Sequence, residues 1–193
     1  MIRSKKYSVA AIGNAMLDLM CEVPDQFLSQ EGIVKGVMNL VSRERSNNIL
    51  KLVRPIKETA GGSAANTIST LAKLGLKTGY IGKVADDPKG MVFKRDLLDN
   101  SIFYNTDFLD QGYTEATGKC IVLITPDKER TMNTYLGATE FLTDVDIDEE
   151  LIAQSEWLYL EGYRFDGQKS KKAFYKAIEI AKRNKTKIAL TLS

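Results

Sequence analysis

The chain has no histidine among its 193 residues, which removes imidazole from any catalytic scheme and excludes His-based zinc sites. Its two cysteines, Cys21 and Cys120, form no metal-ligand spacing. Both lie in alternating apolar runs, so reduced, buried thiols are expected and no metal site is called. Charge of one sign is also lacking: 27 basic against 25 acidic residues leave a net +2. Neither a nucleic acid nor another polyanion is therefore indicated as a partner. No apolar run is long enough for a transmembrane helix, and the basic start from Met1 to Tyr7 lacks the apolar core of a secretion signal. No membrane association is expected, and a cytoplasmic protein is. A Gly-x-x-x-x-Gly-Lys-Ser/Thr loop and a G-x-G-x-x-G fingerprint are both missing, which disfavours P-loop and dinucleotide-binding folds.

What is present is alternation of strand and helix. Ser8 to Ile12 reads as a buried strand. Leu17, Leu19, Cys21 and Val23 alternate with Asp18, Met20 and Glu22, as on a strand with two unlike faces. Val37 to Val41 is a further short strand, and Ser42 caps a helix carrying Ile49, Leu50 and Val53. Thr78 to Val84 reads as a strand and Asp87-Pro88 starts a helix, followed by a strand near Ile102 to Phe108. Thr125-Pro126-Asp127-Lys128 joins Thr117–Ile124 to Glu129–Leu136 as a hairpin. Asp148 to Ala153 is a helix, Trp157 to Leu160 a strand, Gln168 to Arg183 a long helix and Lys187 to Leu192 a strand. This order predicts an α/β sandwich with a mainly parallel sheet. The strands near 17–23, 37–41 and in part of 103–136 do not fit between covering helices. They predict a small second sheet, standing off the first as a lid.

The segment richest in chemistry is Ala60-Gly61-Gly62-Ser63-Ala64-Ala65-Asn66-Thr67. Two glycines permit a tight turn and close approach of a ligand. Ser63 reads as the N-cap of a helix ending at Gly75, whose first-turn amides favour a polar or anionic group. Asn66 offers a donor and an acceptor there. A plain strand-to-helix turn is the equal alternative on this pattern alone. The acidic run Asp144 to Glu150 is read as helix-start acids rather than a metal site.

Gly61-Gly62-Ser63-Ala64-Ala65-Asn66-Thr67 resembles the first signature of the PfkB (ribokinase-like) sugar and nucleoside kinases. Gly13-Asn14-Ala15-Met16-Leu17-Asp18 resembles their N-terminal substrate motif. Ile81 to Asp87 with Gly90, Thr117-Gly118-Lys119-Cys120 through Met132, and Glu161-Gly162-Tyr163 are similar to later blocks. The Gly-Asn-Ala-x-Leu-Asp form and the Thr-Gly-x-Cys block lean toward the adenosine kinase-like branch. The resemblance implies a three-layer ribokinase-like domain and transfer of the γ-phosphoryl of ATP, with Mg2+, to a primary hydroxyl of a sugar or nucleoside. Asp18 would take a vicinal diol, with Asn14, Gly61, Gly62 and Asn66 around the acceptor. Met38, Met132 and Leu136 would form an apolar wall, and Arg130 would reach the transferred phosphate.

The family's second signature, Asp-Thr-x-Gly-Ala-Gly-Asp, and its Asn-x-x-Glu segment do not occur in these 193 residues. By resemblance they carry the catalytic base, the anion hole and most of the nucleotide pocket. The base is therefore expected beyond Ser193, and no catalytic base is called among the residues before it. Residues 1–193 are expected to be the N-terminal portion of one ribokinase-like domain, holding substrate without the base. The alternative is a non-catalytic remnant or interaction module that pairs with a complementing chain, or with itself as a homodimer through the lid strands.

Overall fold

The computed structural model describes residues 5–165 and 167–192 and contains two five-stranded sheets. The first comprises β1 (Tyr7–Ile12), β5 (Thr78–Ile81), β6 (Phe103–Tyr104), β9 (Ser155–Glu161) and β10 (Lys187–Thr191), in the order β10-β9-β1-β5-β6. All of its pairings are parallel. The second comprises β2 (Met16–Glu22), β3 (Met38–Leu40), β4 (Lys57–Gly61), β7 (Gly118–Ile124) and β8 (Arg130–Tyr135), in the order β3-β8-β7-β2-β4. This sheet is mixed: β2 runs parallel to β7 and β3 to β8, whereas β4 and the β7–β8 hairpin pair antiparallel.

Among the described residues six α-helices connect these strands: α1 (Asp25–Gln30), α2 (Arg43–Leu52), α3 (Ser63–Lys73), α4 (Pro88–Asp99), α5 (Glu149–Ala153) and α6 (Gln168–Arg183). Parallel strands buried on both faces carry apolar residues on both, and β1 shows how. Its Ala10 and Ile12 face α5 and α6 in one core, with Leu151, Ile152, Phe174 and Ala177. Its Val9 and Ala11 face the other core, where Ala64, Ala65 and Ile68 of α3 meet Phe93 and Leu97 of α4. That second core runs on into the mixed sheet through Leu17, Leu19, Cys21, Ile121 and Leu123. The two sheets are thus welded through one face, leaving the other face of the mixed sheet to line a cavity.

Local chemistry sets the ends of the elements. The Ser42 hydroxyl accepts from the Arg45 amide at the start of α2, and the Asp87 carboxylate accepts from the Gly90 amide behind the Pro88 that opens α4. Lys5 ties the chain start to the far side of the fold: its ammonium donates to the Ala153 and Asn184 carbonyls, at the ends of α5 and α6. Among the described residues no helix is long and apolar enough to cross a membrane.

The structure differs from the sequence reading in three places. The second sheet equals the first in strand number, because Lys57–Gly61 joins it as an outer strand. That strand begins Lys57-Glu58-Thr59, polar and largely exposed, so it carries no apolar alternation to betray it. Of the stretch from Ile102 to Phe108 only Phe103–Tyr104 is strand, and it belongs to the parallel sheet. Ser63 is the first residue of α3 rather than its cap. Gly62 holds the cap position at φ 104°, a backbone conformation disfavoured for residues with a Cβ. Ser193, the position beyond which the resemblance puts the catalytic base, lies outside the described residues.

Candidate acceptor site

A cavity of about 340 Å³ opens between the start of α3 and the free face of the mixed sheet. One wall comes from the β1–β2 loop and the turn into α3: Asn14, Gly62, Ser63 and Asn66, with Glu161 and Tyr163 at the end of β9 and just after it. The facing wall comes from the mixed sheet: Met16 and Asp18, Met38 and Leu40, Cys120, Met132 and Thr134, with Leu136 just beyond. The period of two on each strand explains this membership, since Asp18, Cys120, Met132 and Thr134 alternate with residues turned into the core.

Asp18 is the chemical centre. Burial pushes its pKa up, while a hydrogen bond from the Asn66 side chain and the positive charge of Arg130 pull it down. Its place depends on its neighbour in β4: a Cβ on Gly61 would lie 2.2 Å from the carboxyl carbon of Asp18. Gly61 therefore supplies room behind the acid and, contrary to the sequence reading, does not line the cavity. At Gly62 a Cβ would lie 2.1 Å from the Asn14 carbonyl oxygen, so the turn and the β1–β2 loop approach each other backbone to backbone. Asn14 is buried and held on several sides. Its carbonyl accepts from the Tyr80 hydroxyl at 2.8 Å, and its side-chain oxygen accepts from the Thr139 hydroxyl at 3.3 Å.

Of the residues singled out from sequence, Asn14, Asp18, Gly62, Asn66, Met38, Met132 and Leu136 line this one cavity. Arg130 lies outside the lining and is exposed, close enough to Asp18 for its charge to be felt. As lining residues, sequence reasoning passed over Leu40, Cys120 and Thr134, and also Met16, Ser63, Glu161 and Tyr163. Alternation could have found the first three, each two residues along a strand from a lining position or on the same sheet face. Cys120 accepts a hydrogen bond from the Thr134 hydroxyl, and burial pushes its thiol pKa up to about 11. Both cysteines are free and buried.

One of the first-turn amides of α3 that the sequence reading offers to a ligand is already taken. The Ala64 amide donates to Glu161 Oε2 at 2.7 Å, so a carboxylate from β9 caps the helix from 97 residues away in sequence. The acidic run at 144–150 likewise serves the fold. Asp146 pairs with Lys83, and Asp148 caps α5 by accepting from the Leu151 amide. Among the described residues no cluster of three or more Cys, Asp or Glu is placed to hold a metal ion.

Comparison with known proteins adds to this geometry. An adenosine kinase structure from Sinorhizobium meliloti superposes with a TM-score of 0.89 at 39% identity, covering 97% of this chain and 57% of that one. A probable sugar kinase from Rhizobium etli CFN 42 gives 0.90 at 34% identity, over 98% of this chain and 57% of that one. The 5-dehydro-2-deoxygluconokinase of Halalkalibacterium halodurans is 31% identical over 153 residues, which is 75% of this chain and 46% of the relative. The chain thus spans about half the length of the curated relatives it matches. The model of the pfkB family carbohydrate kinases matches residues 32–193, and the chain belongs to that family.

Proposed function

We propose that this chain carries the acceptor-binding half of an ATP-dependent kinase, and that the acceptor is a nucleoside, adenosine before other nucleosides or a ribose-like sugar. The observation that carries the reading is one cavity with two unlike walls. Asp18 and Asn66 offer hydrogen-bonding groups suited to a vicinal diol, while Met38, Leu40, Met132 and Leu136 offer an apolar surface suited to a flat base. A carboxylate accepting two hydroxyl hydrogens fixes a ribose ring in place, and fixing the ring aligns its primary hydroxyl for transfer. Arg130 stands ready to offset charge on the transferred phosphoryl. Family membership implies ATP as donor. The described residues offer no acid cluster suited to Mg2+, so no step is assigned to the ion.

The base that would take the hydroxyl proton is assigned to none of these residues, because the family signature that carries it does not occur up to Ser193. The 193-residue chain is then expected to bind adenosine and to leave it unphosphorylated. Calorimetric titration with adenosine, beside a coupled assay with ATP and Mg2+, tests both halves. Turnover above a blank would overturn the division of labour, and absence of adenosine binding would overturn the acceptor assignment. The second sheet serves as the lid in this scheme. Its outer strand β3 leaves backbone groups for pairing with a second copy, which favours a homodimer through the lid, whereas β4 is covered by α4, the Ala60 amide donating to Asp96.

A further inference from the structure

Lys119 is a buried cation that the acceptor cavity does not use. On β7 it alternates with Cys120, so it shares with Ile121 and Leu123 the face of the mixed sheet turned away from the cavity. Only 6% of it is exposed. Its ammonium donates to Asn47 Oδ1 of α2 at 2.7 Å and lies 5.9 Å from the centre of the Tyr135 ring, and among the described residues no carboxylate forms an ion pair with it. Burial pushes its pKa down, and the positive charges of Lys89 and Arg43 push it further, while Asp87 pulls it up. Asp87 is committed elsewhere: it accepts from the Gly90 and Thr117 amides and from the Thr117 hydroxyl. Glu115 and Glu140 act on the Tyr135 hydroxyl, where Arg43 opposes them.

The layer that holds Lys119 contains two more groups of the same kind. Among the described residues three buried side chains carry a polar atom with no hydrogen-bond partner, and two of them fall here: the Ser46 hydroxyl on α2 and the Asn133 side-chain nitrogen on β8. Ser46 is 0% and Asn133 1% exposed. The hairpin register sets Tyr135 opposite Lys119 and Asn133 opposite Ile121, so Asn133 is the diagonal neighbour of Lys119 on the face that α2 covers. Ser46 precedes Asn47, which the lysine holds, and stands one helical turn before Ile49, packed in the same core as Ile121. All three groups can donate. Such donors call for an acceptor, and an acceptor with negative charge also offsets a buried lysine that has no acid of its own. We propose that the layer between α2 and the β7–β8 hairpin binds a small monovalent anion of halide size, held by Lys119, Ser46 and Asn133. Because all three ligands are buried, the ion must shed its water to enter, which favours chloride or bromide over sulfate or phosphate. The site lies behind the wall that carries Cys120 and Met132, so it stands independently of how the acceptor cavity is read.

The experiment uses the 193-residue chain and its Ser46→Ala and Lys119→Met variants, with chloride titrated against methanesulfonate, a bulkier anion, at constant ionic strength. The chlorine NMR line should broaden saturably in the presence of the parent and narrow again as bromide competes. Ser46→Ala should weaken chloride by about tenfold, and Lys119→Met should abolish the saturable broadening. The melting temperature of the parent should rise as chloride replaces methanesulfonate, with no such rise in Lys119→Met. A parent that broadens the line no more than Lys119→Met overturns the site and leaves the orphan donors to water. Should Lys119→Met fail to fold, the other two proteins decide: no saturable broadening by the parent, or equal chloride affinity in the parent and Ser46→Ala, overturns it.

Discussion

Asp18 and Asp146 sit beside two different cavities, and the contrast between them separates the group proposed to bind from one that serves the fold. The cavity beside Asp146, at about 590 Å³, is larger than the one of about 340 Å³ beside Asp18. Every strong partner of Asp146 is already in place: one oxygen takes the Lys83 ammonium, and the other accepts from the Thr143 amide at 2.8 Å and hydroxyl at 3.1 Å. Lys83 spends a further proton on the Asp107 carbonyl at 3.1 Å. Asp18 has burial against it, with Asn66 and the charge of Arg130 in its favour. A burial cost offset only from Asn66 and Arg130, rather than volume, is what singles out Asp18 as the acid proposed to take a ligand.

The contrast is broken most forcefully at the structural acid. Asp146→Asn or Lys83→Met strands one member of a pair whose side chains are 5% and 10% exposed, and the chain should lose about 3–5 kcal/mol in urea unfolding. A loss of under about 1 kcal/mol would place the pair with ordinary surface bridges.

Next in size is Gly61→Ala, whose methyl group would be driven against the Asp18 carboxyl. Overpacking of this kind costs about 1–3 kcal/mol, and displacement of the acid should lower adenosine affinity by about tenfold. Retained affinity would show that the acid has another rotamer able to bind.

The smallest effect on stability, and the most diagnostic in sign, belongs to Asp18→Asn. A carboxyl raised by burial binds its proton more tightly folded than unfolded. Its contribution to stability is therefore greatest below the ordinary carboxylate range and is lost as pH rises through the raised value. Asn removes that loss, so the variant should melt slightly higher than the parent at about pH 7 and without advantage at about pH 4. Acceptor binding runs the other way: it needs the carboxylate, fades in the parent as pH falls through the raised pKa, and is absent from the variant. A variant that melts lower at neutral pH would show Asp18 to be structural after all.

Much of this arrangement was legible in the sequence where local pattern decides. The helix Gln168–Arg183 shows its face through Ala173, Phe174, Ala177, Ile180 and Ala181, all buried. Asp87-Pro88 announces α4, and the proline turn announces the hairpin. Asn14, Asp18, Gly62 and Asn66 were found because they sit in two short motifs that fall on neighbouring turns. What stayed hidden was decided at long range. The cap on α3 comes from Glu161, and no rule of local spacing connects a carboxylate to an amide 97 residues earlier. Ser63 has the right chemistry for a cap but the backbone turns one residue too soon for it. The Lys57–Gly61 strand is held in the sheet by its partner β2 and by Asp96, which accepts from the Ala60 amide, with Ala60 its single side chain in the core.

The antiparallel register of β2 on β4 places Met16 opposite Gly61 and Leu17 opposite Ala60. Sliding β4 by a single position would bring the Ala60 methyl group into the space that now receives the acid. Affinity for an acceptor is thereby tied to strand alignment. Lengthening the 53–56 connection should leave a chain that still folds, whereas an extra residue within 57–61 should leave one that folds and binds nothing.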